Sequence, residues 1–380
     1  MTTHMRITPK PLSAHIPKSV ICDLPFAIRP PFYVSSFGLW YLALSIMSWK
    51  ILITASGVGR AGQQAQALLR GAGCKFVFPP KFGSLRAAEL LPLLKKMDAV
   101  IASLDEFSAA VLTSQNASDL KIIARWGVGY DSVDLAAATG CGIVVTYTPG
   151  LLDEAVAEYT LALLLALARR VHDGYAAMRN KEWKVAWGHD LSGKTLGIIG
   201  CGRIGLAVAR RAIGFDLRLL GYDPLPSKEG KKLGIRFVGL NKLLAQSDIV
   251  SLHASLTDRS RGLIGKAELA KMKPSAYLIN TARGALVDEV ALARALSKKQ
   301  IAGAALDVFS TEPLPPDGPL HSAPNLLLSP HQASFTFESG ERVSAAAAQA
   351  VLDLMRGKRP KNVLNPEVFR SKALHHSKRE

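Results

Sequence analysis

The stretch Gly193–Arg211, GKTLGIIGCGRIGLAVARR, constrains the fold of this 380-residue chain more than any other. It reads as an apolar strand, TLGIIG, that runs through glycines at 200, 202 and 205 into a helix pattern, RIGLAVARRAIG. The next strand pattern, LRLLGYD, ends in an acid, Asp223, eighteen residues after the last glycine. Strand, glycine turn, helix and acid in that order specify a βαβ unit: the turn is tight, and the helix packs too close to the strand for a larger residue. Such a unit belongs in a parallel sheet covered by helices on both faces.

The rest of the chain supplies that sheet and a second one. From Lys50 onward, apolar runs alternate with helical patterns. KILITAS reads as a strand, 59–72 as a helix, KFVF as a strand and 86–96 as a helix, followed by strands DAVIAS, KIIARWG and GIVVTYT. This first α/β unit has the order of a flavodoxin-like sheet and lacks a glycine-rich phosphate loop of suitable spacing. A second series runs from Thr195 to His331, with strands TLGIIG, LRLLGYD, DIVSLHA, AYLINTA, AGAALDV and NLLLSPH. Between the two lies a helix pattern over 153–178 that has no Gly or Pro before Gly174 and is apolar nearly all the way round its middle turns. It must be buried on several sides, either within its own chain or against a second subunit. A last helix pattern, 338–356, is expected to return to the first unit.

Composition narrows the function classes. With 48% hydrophobic and 20% charged residues the chain has ample material for large cores. The net charge of +17 sits largely at the ends: residues 1–50 carry five basic residues against one acid, and residues 356–380 carry eight against two. No basic stripe with interleaved aromatics occurs between them, so no nucleic-acid partner is expected. Four scattered cysteines without a C-x-x-C pair give no disulfide framework and no metal site, and a cytoplasmic setting is expected. Residues 30–49 are uncharged, but two prolines, Gly38 and several serines interrupt them, and a strand begins at Ile51 with no linker. Residues 1–46 are therefore expected to be a disordered extension rather than a membrane span, and 365–380 a basic tail.

The glycine loop suits a dinucleotide. Gly200, Gly202 and Gly205 allow close approach of backbone to a pyrophosphate, and the following helix offers it unpaired N–H groups and a positive dipole end. Asp223 would accept hydrogen bonds from the adenosine ribose and repel a 2′-phosphate, which favours NAD over NADP. Three further segments fall at the C-terminal ends of strands, where α/β sheets carry their chemistry. NTARGALVDE places Arg283 there, LDVFSTEP places Asp307 and Glu312, and SPHQASFT places His331. The set suits hydride transfer to a 2-keto acid. Arg283 would grip the carboxylate and polarise the keto oxygen, His331 would deliver the proton, and Glu312 would favour and orient the protonated imidazole.

Over residues 50–364 the sequence resembles the D-isomer-specific 2-hydroxyacid dehydrogenases, and within them the phosphoglycerate-dehydrogenase-like branch. The resemblance is carried by RWGVGYDSVD, TPGLLDEAVAEYTLALLLALARR, GKTLGIIGCGRIG, VSLHASLT, MKPSAYLINTARGALVDE, AALDVFSTEPLP and LLLSPHQAS. It implies two Rossmann-like parallel-sheet domains in an α/β chain, the NAD-binding domain, 151–332, being inserted into a flavodoxin-like substrate domain made of 47–150 and 333–364. It also implies a homodimer, with substrate in the cleft between the domains. Arg283, Glu312 and His331 would be the catalytic residues. Arg203 and Ile204 would lie against the pyrophosphate, Thr281 and Ala282 beside the cofactor, Asp307 on the nicotinamide carboxamide, and backbone at Val128 and Gly129 on the substrate carboxylate. Formate dehydrogenases of the same fold carry glutamine where Glu312 stands.

Several positions depart from the phosphoglycerate dehydrogenase pattern. Ala102-Ser103 replaces an Arg-Ser pair, Leu152 and Ser132 replace asparagines, Ser255 replaces a proline, and no ACT-type domain follows residue 364. Reduction of glyoxylate or hydroxypyruvate is therefore the alternative to 3-phosphoglycerate oxidation. The non-enzymatic alternative is an NAD-sensing scaffold, since the C-terminal binding protein corepressors resemble the same family, although no separate partner-binding segment is evident.

Overall fold

The computed structural model describes residues 48–370, so the expected extension over 1–46 and the tail beyond Arg370 lie outside the described residues. The first lobe is built on five parallel strands: β1 Lys50–Ile53, β2 Lys75–Val77, β3 Ala99–Ala102, β4 Ile122–Arg125 and β5 Val144–Thr146. Their order is β2-β1-β3-β4-β5, the flavodoxin order. Alternation along the strands sends Ile51, Ile53, Ile101 and Ala124 into one core, and Leu52, Val100, Ile123 and Val145 into another on the opposite face. Both faces of β1, β3, β4 and β5 are dry, which is why those strands read as continuous apolar runs, whereas the edge strand β2 is largely exposed.

The last helix, Phe337–Met355, does return to this lobe, packing on helices Ser56–Ala61 and Gln63–Gly71 and on β4. Small residues make that contact close: a Cβ at Gly340 would sit 2.7 Å from the Ala61 Cβ, and one at Gly62 2.9 Å from the Ser344 Cβ. The lobe also continues past the expected boundary at 364. Asn365 is fully buried, accepting a hydrogen bond from Val145 N at 2.9 Å and donating to Ile143 O at 2.9 Å. Val368 of the short turn Pro366–Arg370 is buried in the first core. Residues 365–370 are thus part of the lobe rather than tail, because they satisfy the otherwise open edge of β5.

The second lobe holds seven parallel strands: β6 Thr195–Ile199, β7 Arg218–Tyr222, β8 Arg236–Phe237, β9 Ile249–Leu252, β10 Tyr277–Asn280, β11 Gly303–Leu306 and β12 Leu326–Leu328. Their order is β12-β11-β10-β9-β6-β7-β8. Strand order reverses between β6 and β9, so the glycine loop leaves β6 at the topological switch point, where such sheets open a crevice. Six of the strands match the sequence pattern. The seventh, β8, is a two-residue edge strand, too short to show a period.

The helix expected over 153–178 is two helices, Asp153–Ala168 and Val171–Arg179, broken by Arg170 at a left-handed φ of 52°. The break has a tertiary cause. Ala168 O accepts a hydrogen bond from His189 N at 2.8 Å, and Gly188 passes so close that a Cβ there would lie 2.8 Å from the Arg169 Cα. The first of these helices is buried within its own chain. Leu152, at its N-terminus, and Val156 enter the first lobe's core, while Leu161, Leu164 and Leu167 join the core formed by the second sheet and helix Arg203–Ile213. Its solvent stripe, Glu154 and Glu158, pairs with Arg210 and Arg211 at 3.2 and 2.8 Å. One rigid element therefore roots in both cores. Among the described residues no helix is long and apolar enough to cross a membrane.

Candidate active site

A cleft of about 1140 Å³ separates the two lobes. Ser56, Ser103 and the segment from Arg125 to Asp131 line it from the first lobe, and Ile204, His253, Thr281, Arg283, Asp307, Glu312 and His331 from the second. The expected catalytic and substrate residues therefore share one cavity.

His331 follows β12 with a left-handed φ of 51°, held by its own N–H, which donates to Asp307 O at 2.7 Å. Its Nδ1 lies 2.7 Å from Glu312 Oε2, and the other Glu312 oxygen accepts from Phe309 N at 3.0 Å. The carboxylate is thus fixed by backbone, and it fixes the ring in turn. Asp307 is fully buried and holds the turn that carries His331: Oδ1 accepts from Ser329 Oγ at 2.6 Å and Gln332 N at 3.0 Å, and Oδ2 from Ala333 N at 2.8 Å. Burial pushes its pKa up, against the pull of those same hydrogen bonds. Most of its acceptor capacity is thus spent on the turn.

Arg283 follows β10, its turn closed by the buried Asn280, which donates to Arg283 O at 2.8 Å and accepts from Ala282 N at 3.0 Å. The adjacent Gly284 packs on Phe309 so tightly that a Cβ there would overlap its backbone. That contact brings the Arg283 loop onto the segment bearing Glu312. From there the guanidinium reaches across the cleft: Nε donates to Asp131 Oδ1 at 2.9 Å, and Nη2 lies where a Cβ on Gly129 would be. Arg283 and Gly129, 154 residues apart, are brought together.

Two charged residues of this site did not emerge from sequence reasoning. Asp131 pairs with Arg283 as above. Arg125, at the end of β4, is 1% exposed and donates from Nε to Gly129 O at 3.0 Å, while its Nη1 is enclosed with no partner among the described residues. Burial lowers its pKa to about 10, opposed by the charge of Asp105. The available signal was an arginine closing an apolar strand, IIAR, just ahead of a glycine-rich loop that ends in an aspartate.

The glycine loop fits a dinucleotide. Gly200 has φ 89°, and a Cβ there would lie 2.5 Å from Ala254 N; a Cβ on Gly205 would overlap Gly200 O. A Cβ on Gly202 would meet nothing, so that glycine leaves an open face before Arg203 begins its helix. Asp223 accepts from Cys201 N and Leu225 N, both at 2.8 Å, which orients its carboxylate and leaves lone pairs for ribose hydroxyls. His253 lines the cleft with an enclosed, unpartnered Nδ1, and burial lowers its pKa to about 3, so it offers a neutral polar atom. Thr281 and Ala282 also line the cleft, and the Thr281 hydroxyl hydrogen-bonds Thr160 Oγ1 at 2.8 Å, tying the end of β10 to the long helix.

Residues 161–333 match the profile of the D-isomer specific 2-hydroxyacid dehydrogenase, NAD binding domain. The chain is 45% identical to a glyoxylate reductase of Korarchaeum cryptofilum over 289 residues, 74% of this chain and 86% of that protein. It is 40% identical to a D-3-phosphoglycerate dehydrogenase of Methanocaldococcus jannaschii over 286 residues, 74% of this chain and 54% of that protein. Among solved structures, D-lactate dehydrogenase from Aquifex aeolicus complexed with NAD and lactic acid has a TM-score of 0.73 at 28% identity, covering 83% of this chain and 99% of that one.

Proposed function

The chain belongs to the D-isomer specific 2-hydroxyacid dehydrogenase family and is an NAD-dependent enzyme of that class, and we propose that it reduces a small, unphosphorylated 2-keto acid, glyoxylate or hydroxypyruvate. The observation that carries the site assignment is the convergence of the Arg283–Gly129 contact and the His331–Glu312 pair on one cleft. The similarity to glyoxylate reductase supports the substrate class. So does Ala102, which is fully buried where phosphoglycerate dehydrogenases carry an arginine. A phosphorylated three-carbon acid is the second reading, favoured by one residue: Arg60, exposed on helix Ser56–Ala61, lines the same cleft.

In this mechanism the Arg283 Nη2 and the backbone N–H groups of Val128 and Gly129 hold the substrate carboxylate, and the guanidinium charge polarises the neighbouring keto group. When bound, the reduced cofactor supplies the hydride to the keto carbon. His331 gives the keto oxygen its proton from Nε2, and Glu312 on Nδ1 fixes the tautomer and stabilises the imidazolium. Gly200, Gly202, Arg203, Ile204 and Gly205 hold the pyrophosphate, Asp223 the ribose, and Asp307 Oδ2 the carboxamide. Approach of the lobes over the long helix excludes water from the hydride path.

We further propose a cytoplasmic homodimer. The supporting surface is an arm running from helix Val171–Arg179 through the following segment, where Tyr175, Met178 and Val185 are exposed and Trp183 and Trp187 are 89% and 88% exposed. Aromatic side chains gathered this way suit the core of an interface with a second copy. The free, buried thiols of Cys74 and Cys201 suit a reducing compartment. Oxidation of NADH with a panel of 2-keto acids tests the substrate reading. Glyoxylate or hydroxypyruvate should exceed phosphohydroxypyruvate in kcat/KM; the reverse order supports the Arg60 reading, and NADH binding without any turnover supports a scaffold.

A further inference from the structure

Arg283 is held by more than its own loop. Its Nη1 donates to Ala282 O at 2.7 Å and its Nε to Asp131 Oδ1 at 2.9 Å, so two of its three nitrogens are committed to protein. The third, Nη2, is the one that lies against Gly129. A guanidinium presents a carboxylate with either its Nε–Nη2 edge or its Nη1–Nη2 edge. Nε has spent its single proton and Nη1 one of its two, which leaves Nη2 as the nitrogen with both protons available to substrate.

Asp131 is the fixed member of this pair. Its segment is anchored on each side: Gly127 N donates to Thr148 Oγ1 at 2.9 Å, Arg125 Nε to Gly129 O at 3.0 Å, and Val133 N to Tyr130 O at 3.0 Å. The long Arg283 side chain has no comparable anchor beyond its own turn, so it settles where Asp131 accepts it. The Asp131 carboxylate is ionised at neutral pH: burial raises its pKa, but the charge and hydrogen bond of Arg283, with a contribution from Arg125, outweigh burial and hold it below the usual range.

We propose that Asp131 is a positioning residue for the dehydrogenase reaction: from the opposite lobe, it sets the orientation of the Arg283 guanidinium so that Nη2 meets the substrate carboxylate beside Gly129. This rests on the assignment of Arg283 to substrate binding. It also has a cost that separates it from a purely structural or purely electrostatic role. A carboxylate this close to the substrate's own carboxylate repels it, so on charge alone removing Asp131 would tighten substrate binding. On positioning, removing it lowers kcat.

The test compares Asp131→Ala and Asp131→Asn in the full chain, using glyoxylate and NADH. Asp131→Ala should lower kcat by roughly 10–100-fold, the scale of a misplaced reactive group, with KM unchanged or lower. NADH affinity by fluorescence titration and the melting temperature should stay near wild type. Asp131→Asn keeps an oxygen acceptor for Nε and should recover most of the lost kcat. Should the alanine variant not fold, Asp131→Ser, whose hydroxyl is too short to reach Nε, takes its place. Wild-type kcat in Asp131→Ala, or an equal loss in Asp131→Asn, overturns the proposal. Arg283→Ala in parallel separates the two levels: normal turnover there removes Arg283 itself from the mechanism, whereas an inactive Arg283→Ala beside a fully active Asp131→Ala removes only Asp131.

Discussion

Adding one methyl group at Gly129 should disable the enzyme while sparing its fold. An ideal Cβ there would overlap the Arg283 Nη2 and lie 2.6 Å from its Cζ and 3.3 Å from Asp131 Oδ1. Non-bonded heavy atoms pack at about 3.5–4.0 Å, so the Nη2 end of the guanidinium must retreat by roughly 2 Å. That retreat is cheap for stability, because the displaced atoms are the far end of a flexible side chain, and Gly129 does not have a positive φ that alanine would resist. It is expensive for chemistry. A misplacement of about 1 Å already costs on the order of 10²-fold, or about 2.7 kcal/mol of transition-state stabilisation, and this one should cost at least that. Steady-state kcat/KM for NADH oxidation, measured beside a thermal melt, reads both quantities. The neighbouring Gly127→Ala provides the contrast: its φ of 136° is strained for alanine and a Cβ there meets nothing, so it should lower the melting temperature through the backbone. Unchanged kcat/KM in a folded Gly129→Ala protein would refute the placement of Arg283.

Arg283→Ala should lower kcat/KM by roughly 10²–10⁴, and Arg283→Lys should rescue it only in part, because a compact ammonium cannot reproduce the planar fork that spans Asp131, Ala282 O and substrate. Asp223→Ala should raise the KM for NAD and improve relative use of NADP, by removing both a ribose acceptor and a repulsive charge; a wild-type preference for NADP would contradict the assignment. Cys201 should resist alkylation at pH 8 in the native protein, because burial, aided by the nearby Asp223 charge, pushes its pKa up to about 12 and keeps the thiol protonated. Mass spectrometry after brief treatment with iodoacetamide checks this, and labelling of Cys201 as fast as the exposed Cys141 would refute it.

What the sequence by itself determined is local or periodic. The central strands are legible because both their faces are buried, so nearly every residue in them is apolar. The glycine loop and Asp223 are legible because the constraints on them come from a turn, one helix and the adjacent strand, all within some thirty residues. The positions of Arg283, Glu312 and His331 beyond strand ends are legible in the same way, and the return of the last helix follows from its lack of a nearer partner. Tertiary structure decided the rest, each time through a contact between segments distant in sequence. His189 takes the carbonyl of Ala168 and ends a helix that periodicity alone would continue. Asn365 closes the edge of β5, 220 residues before it in the chain, and draws the supposed tail into the first lobe. Asp307 spends most of its carboxylate on the turn beneath His331, and Asp131 meets Arg283 across 152 residues. Hydrophobic periodicity specifies which face of an element is buried, but it carries no information about which polar side chain waits on the facing element. That is settled only when the two lobes, rooted in one shared helix, are packed against each other.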